Sequence, residues 1–149
     1  MTAFLKRLCA ACACAFLLAA PAAAQQGGNT IDDTLYRELG GQEGIRKIID
    51  DFKLIIMDDA RINASFKDVD IAHLKKRLAE QFCALAGGPC KYGGKDMTLI
   101  HADLGITVAQ FNALTEDLQQ ALDRNGIPYR VQNRLIAKLA PMQREIVTK

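Results

Sequence analysis

The most informative run of this sequence is GGPCKYGGKDMTLIHADLGI, which covers Gly87–Ile106. Its first glycines and its proline end any helix that precedes them. A short helix over Met97–Leu104 is predicted to follow, with an aspartate directly before it as its cap. Met97 and Leu104 lie on the same side of that helix as His101, because residues three or four apart share a helix face. The run therefore predicts a histidine that projects from an apolar stripe.

The segments on both sides of this run place apolar residues at steps of three and four, the spacing of amphipathic helices. No segment shows the alternation of period two that is typical of strands, so the predicted class is all-α with one domain over residues 33–149. Pro141 is expected to kink the last helix. The other predicted helices are a short one through Leu35 and Leu39, then Gln42–Met57, Ile71–Ala86 with Asp70 as its cap, one that opens at the Thr107 capping box, and one through Val131–Ile146.

The first 24 residues have the pattern of a cleavable secretory signal. Lys6 and Arg7 precede an apolar run, and small residues end it at Ala22–Ala24. The alternative is a membrane anchor, but the run is shorter than the roughly 20 residues that a spanning helix needs. We expect residues 1–24 to be removed, residues 25–32 to form a flexible lead-in, and the mature protein to be exported, in a bacterium to the periplasm, without a membrane partner.

The charge balance argues against nucleic acid as a partner. The chain has 19 basic and 17 acidic side chains, and loss of Lys6 and Arg7 with the signal leaves 17 of each. A neutral chain without a basic run offers no electrostatic footprint for phosphates.

Two cysteines, Cys83 and Cys90, remain after removal of the signal. In an oxidising compartment such a pair suggests a disulfide. Seven residues of continuous helix rise about 10.5 Å, too far for a bridge, so the helix must break between the two cysteines. Gly87–Pro89 supplies that break. The sequence thus permits a Cys83–Cys90 bridge and leaves open that they are two separate thiols.

From Leu35 onward the chain is similar to truncated haemoglobins of group I. The resemblance is carried by an ordered set of short motifs: Leu35-Tyr36, Gly40-Gly41, Asp51-Phe52, Phe66, Leu74 and Leu78, Gly87-Gly88-Pro89, Tyr92 and Gly94, Met97-x-x-x-His101, Leu104-Gly105-Ile106 and Ala140-Pro141. It implies a two-over-two helical sandwich around one non-covalent haem b (iron protoporphyrin IX).

The resemblance also implies roles for individual residues. His101 corresponds to the proximal iron ligand, although its spacing alone favours a core histidine hydrogen-bonded to backbone. The residues that correspond to haem contacts are Phe52, Phe66, Leu74, Leu78, Phe82, Met97, Ile106 and Phe111. Arg77 flanks the expected pocket and can pair with a haem propionate, or it is an ordinary solvated arginine. Tyr92 is a second rim candidate, and His73 is read as a surface residue.

The chain departs from the family on the distal side of the haem. Group I globins usually carry a tyrosine directly after the Phe52 position and often a glutamine at the Leu78 position, whereas this chain has Lys53 and a leucine there. Both hydrogen-bond donors for a diatomic ligand are therefore missing. Lys53 can donate as an ammonium, bind the iron as a neutral amine, or extend along the helix flank to solvent.

Four functions are compatible with these features. The first is reversible binding of a diatomic gas, dioxygen or nitric oxide. The second is a nitric-oxide dioxygenase or a peroxidase-like enzyme, and the third is a six-coordinate redox or sensor protein with Lys53 on the iron. The fourth is a haem-free helical interaction module. The sequence specifies no redox partner.

Overall fold

A computed structural model describes residues 32–149 of the chain; the predicted signal and nearly all of the lead-in lie outside the described residues. Within residues 32–149 the structure contains helices and turns but no strands, which confirms the all-α class. The helices are α1 (Thr34–Glu38), α2 (Gly41–Asp58), α3 (Ile71–Leu85), α4 (Met97–His101), α5 (Val108–Arg124), α6 (Tyr129–Leu139) and α7 (Gln143–Ile146), with 3₁₀ turns at Asn63–Phe66 and Ala140–Met142.

The predicted caps of α3, α4 and α5 are present. The carboxylate of Asp70 accepts from the backbone N–H of His73 at the start of α3, and that of Asp96 accepts from the N–H of Leu99 at the start of α4. Thr107 opens α5 with a complete capping box. Each cap satisfies a backbone donor that has no partner within its helix, so each start is encoded locally.

Two boundaries differ from the predictions. α4 ends at His101 rather than at Leu104, because a tight turn follows in which the N–H of Leu104 bonds to the His101 carbonyl. Leu104 is 57% exposed and so does not share the buried stripe of His101. The last predicted helix is divided by a 3₁₀ turn at Pro141, which has no N–H for a helical hydrogen bond.

The core is built on α2, which packs against both α3 and α5. One face of α2 is buried along its whole length, and each buried side chain contributes about 1.5–3 kcal/mol relative to exposure. The buried residues of α2 are Ile45, Ile48, Ile49, Phe52, Ile55 and Ile56. Phe52 also lines a cavity together with residues of α3, so α2 forms one wall of that cavity.

The end of α3 requires glycine. Gly87 follows the helix with φ +82°, the left-handed conformation that side chains disfavour, and a Cβ there would lie 2.1 Å from the backbone oxygen of Asp32. This close approach joins the end of α3 to the segment before α1. None of the helices in the described part of the chain is long and apolar enough to cross a membrane.

Candidate functional site

His101 is the last residue of α4 and is held by its own helix. Its Nδ1 lies 2.7 Å from the backbone oxygen of Met97, one turn earlier. Because a carbonyl can only accept, Nδ1 must donate the proton, and the lone pair of the neutral imidazole is then on Nε2. This is the arrangement in which a histidine binds a metal through one nitrogen and is oriented through the other.

The half-buried ring of His101 lines a cavity of about 190 Å³ between α2, α3, α4 and α5. Nine other predicted haem contacts share this wall: Phe52, Phe66, Leu74, Arg77, Leu78, Phe82, Tyr92, Met97 and Phe111. Residues that are distant in the sequence thus meet around one space. Its walls are mainly apolar.

Two predicted residues do not line the cavity. Lys53 is half-buried on α2 beside Phe52, outside the cavity wall. Ile106 is also half-buried, and its backbone oxygen accepts from the N–H groups of Thr148 and Lys149, so it anchors the C-terminus.

The cavity also has walls that the sequence analysis did not assign. Leu114, Thr115 and Leu118 come from α5, and the helical spacing of the two leucines from Phe111 was the available indication. Further lining residues are Gln81, Ile100, Leu139, Met142 and Ile146. Gln81 had no such indication, because a glutamine within an apolar stripe is read as a solvated position.

Charged and polar groups concentrate at one edge of the cavity. Arg77 Nη1 lies 2.7 Å from Glu80 Oε2, and Arg77 Nε donates to His73 Nε2 at 3.3 Å. The hydrogen bonds from Arg77 and from the backbone N–H of Gly93 lower the pKa of Glu80. His73 is exposed, and Arg77 therefore connects the surface to the cavity.

Tyr92 lies at the same edge, on the glycine-rich loop of residues 91–95. Its hydroxyl donates to the backbone oxygen of Lys95 at 3.1 Å, and burial raises its pKa. A neutral phenol and a cationic guanidinium thus border the same opening.

A disulfide joins Cys83 of α3 to Cys90, with their Cα atoms 5.8 Å apart. Cys83 is buried, and the bridge ties α3 to the loop that carries Tyr92. The cavity wall on α3 and the cavity edge on the loop are thereby covalently connected.

The residues of this site fit a haem. An apolar cavity excludes water from a porphyrin, and one imidazole with a free Nε2 lone pair suits its iron. Propionates need cationic or hydroxyl partners, and Arg77 and Tyr92 offer these together at one edge. Apolar walls with one polar edge match a haem, whose macrocycle is apolar and carries both propionates on one edge.

Fold and cavity together define a helical protein built around an apolar pocket with one imidazole. The chain belongs to the bacterial-like globin family, whose model matches residues 34–148. The resemblance to group I truncated haemoglobins is confirmed by several relatives. The group 1 truncated haemoglobin of Mycolicibacterium paratuberculosis is 29% identical over 77% of this chain and 85% of its own length. That of Synechocystis is 33% identical over 64% of this chain and 80% of its own.

Solved structures agree on the fold. The ferric truncated haemoglobin of Tetrahymena pyriformis superposes with a TM-score of 0.74, at 27% identity, over 77% of this chain and 98% of that one. Its solved variants replace a tyrosine by phenylalanine or a glutamine by glutamate. The two-over-two haemoglobin of Synechococcus, solved with covalently attached haem, matches with a TM-score of 0.72 at 22% identity. The predicted two-over-two helical fold is confirmed.

Proposed function

We propose that this globin binds one non-covalent haem b with His101 as the proximal iron ligand. The observation that carries the proposal is the 2.7 Å hydrogen bond from His101 Nδ1 to the Met97 carbonyl, at the wall of an apolar cavity. That bond selects the tautomer whose Nε2 can bind iron. When bound, haem supplies an iron atom with a coordination position for a diatomic ligand.

The protein side chains hold and shield the cofactor. Phe66 and Phe82 pack in the apolar wall and exclude water, which keeps the pocket at low polarity. Arg77 would hold a propionate, either in place of Glu80 or together with it, because its guanidinium carries five donors. Tyr92 would donate to a propionate from the same edge by exchanging its hydrogen bond to the Lys95 carbonyl.

The ligand we propose is a diatomic gas, dioxygen or nitric oxide. The two donors usual in group I globins are replaced in this chain: Leu78 is apolar, and Lys53 lies off the cavity wall. A pocket without these two donors favours ligands that need little hydrogen bonding, so nitric oxide is expected to be held better relative to dioxygen than in globins with a distal tyrosine. The same lack of donors disfavours nitric-oxide dioxygenase chemistry.

A second candidate is a six-coordinate redox or sensor protein with Lys53 on the iron. The observation that favours it is the position of Lys53, half-buried on α2 directly after the cavity residue Phe52. A long, flexible side chain at this point can reach either solvent or the cavity. Neutral amine ligation would then leave no open position for a gas.

We further propose that the protein is exported. The support is the charged start, apolar run and Ala22–Ala24 end of the first 24 residues. A Cys83–Cys90 disulfide suits an oxidising compartment. Mass spectrometry of the protein from the periplasmic fraction tests this: a mature chain that starts at Gln25 supports export, and an intact chain in the cytosol contradicts it.

The test of the haem proposal is the optical spectrum of the purified protein, ferric and ferrous, across pH. A Soret band after reconstitution supports haem binding, and its absence defeats every haem function. A high-spin ferric spectrum supports an open position for a gas. A low-spin spectrum that becomes high-spin in Lys53→Ala supports the six-coordinate candidate instead.

A further inference from the structure

Gln81 is a polar side chain on the buried face of α3, where it is only 9% exposed. Its Nε2 lies 3.5 Å from Met142 Sδ and 3.8 Å from Met97 Sδ. A thioether sulfur accepts weakly and cannot donate, so the amide nitrogen, with its two N–H groups, is the atom that must face both sulfurs. One amide thus joins α3 to α4 and to the 3₁₀ turn before α7.

Burial of the Gln81 amide lowers the free energy of unfolding. A buried amide loses its hydrogen bonds to water, and two sulfur acceptors replace them only in part. An apolar side chain of similar length would fill the space without that cost. The arrangement therefore indicates that the amide serves to hold its neighbours in a particular orientation.

The Gln81 amide contacts Met97, which lies on the same helix as His101. α4 has only five residues, and Leu99 and Ile100 on it are 67% and 40% exposed, so little of this helix is fixed by apolar packing. Met97, half-buried at the cavity wall, is the residue of α4 that contacts α3 through its side chain. The same residue receives Gln81 through its sulfur and His101 Nδ1 through its carbonyl.

We propose that Gln81 is a positioning residue that fixes Met97 and, through it, the orientation of the His101 ring. The inference rests on the proposed function, in which His101 Nε2 binds the haem iron. Loss of the amide frees the Met97 side chain, loosens α4 and weakens the hydrogen bond that selects the Nε2 lone pair.

The test is Gln81→Met, which keeps an unbranched side chain of similar size and removes the donor. Gln42→Met, at an exposed site in the first turn of α2, is the matched control. Amide hydrogen exchange in α4 is expected to become about fivefold faster in Gln81→Met, the effect of losing roughly one net hydrogen bond. Nitrogen-15 shifts of the His101 ring are expected to move toward the mixed-tautomer values, and the ferrous iron–histidine stretching frequency to shift.

A double-mutant cycle with Met97→Leu separates positioning from general packing. If Gln81 acts through the Met97 sulfur, the two substitutions together loosen α4 no more than either alone. Additive effects overturn the proposal, as do unchanged exchange and unchanged His101 shifts in a Gln81→Met protein with wild-type thermal stability. Hydrogen exchange and nitrogen-15 shifts are measured without haem. They therefore decide the role of Gln81 even if the wild type shows no Soret band after reconstitution, a result that would defeat the proposed function.

Discussion

The Nδ1 atom of His101 donates to the backbone oxygen of Met97 at 2.7 Å, within one turn of a five-residue helix. The bond orients the ring and fixes its tautomer before any cofactor is present. It also makes the ligand geometry depend on the integrity of α4, which the Asp96 cap starts. With His101 as the proposed iron ligand, haem binding is expected to depend on the local folding of this helix.

His101→Ala is expected to abolish tight haem binding, because the axial nitrogen is lost while the apolar walls remain. The measurement is the Soret absorbance that stays with the protein after gel filtration. His73→Ala, which removes an exposed histidine at the cavity edge, is expected to keep the haem. Equal retention by both variants would contradict the assignment. His101→Gly with added imidazole is expected to recover a ligated spectrum.

Lys53→Tyr is expected to slow dioxygen dissociation about tenfold relative to Lys53→Phe, because one hydrogen bond to a partly charged ligand contributes about 1.5 kcal/mol. The position follows Phe52 on α2, where group I globins usually carry a tyrosine. The two variants share a ring and differ only in the hydroxyl. Stopped-flow dissociation rates provide the measurement, and equal rates would show that this position does not face the ligand.

The extent to which this site can be predicted from the sequence depends on the kind of interaction. Residues on regular apolar stripes, such as Phe52 and Phe82, are predictable because helical period and family position agree. The orientation of a long side chain is not, since the local pattern around Lys53 suits both solvent and cavity. Gln81 could not be foreseen, because its two sulfur partners lie far along the chain and only tertiary packing brings them together.

Helix boundaries were likewise predicted correctly where a local interaction sets them, and not elsewhere. Caps at Asp70 and Thr107 are local interactions and were predicted correctly. α4 ends early because of a tight turn that contributes little energy. The prediction extended the helix to Leu104 because the apolar spacing continues to that residue.

Loss of the Cys83–Cys90 bridge is expected to destabilise the protein by about 2–3 kcal/mol, the chain-entropy contribution of a short closed loop. Cys90→Ala is the suitable variant, because it leaves the buried Cys83 in place. Urea unfolding of the variant and of the wild type, each with and without reductant, provides the measurement. Reductant should lower the stability of the wild type alone; a wild type that is insensitive to reductant, with two titratable thiols, would contradict the bridge.

The final prediction concerns Asp117 on α5, whose side chain is 1% exposed. Burial, and then the nearby charge of Asp59, raise the pKa of Asp117 to about 6. Its Oδ2 has no hydrogen-bond partner among the described residues. Arg61 compensates little, because it binds Asp59 at 2.7 Å and lies 3.8 Å from Asp117. Ionised Asp117 is therefore a buried charge with little support.

The sign follows from the raised pKa. The folded state holds the Asp117 proton more tightly than the unfolded state, so its stabilising effect is present below about pH 4 and is lost as the pH rises through 6. Asp117→Asn should match the wild type near pH 4 and exceed its free energy of unfolding by about 2–3 kcal/mol at pH 8. Urea titrations at pH 4, 6 and 8 measure this, with the exposed Asp103→Asn as control. A difference between Asp117→Asn and wild type that does not grow with pH would mean that Asp117 ionises without cost in the folded protein.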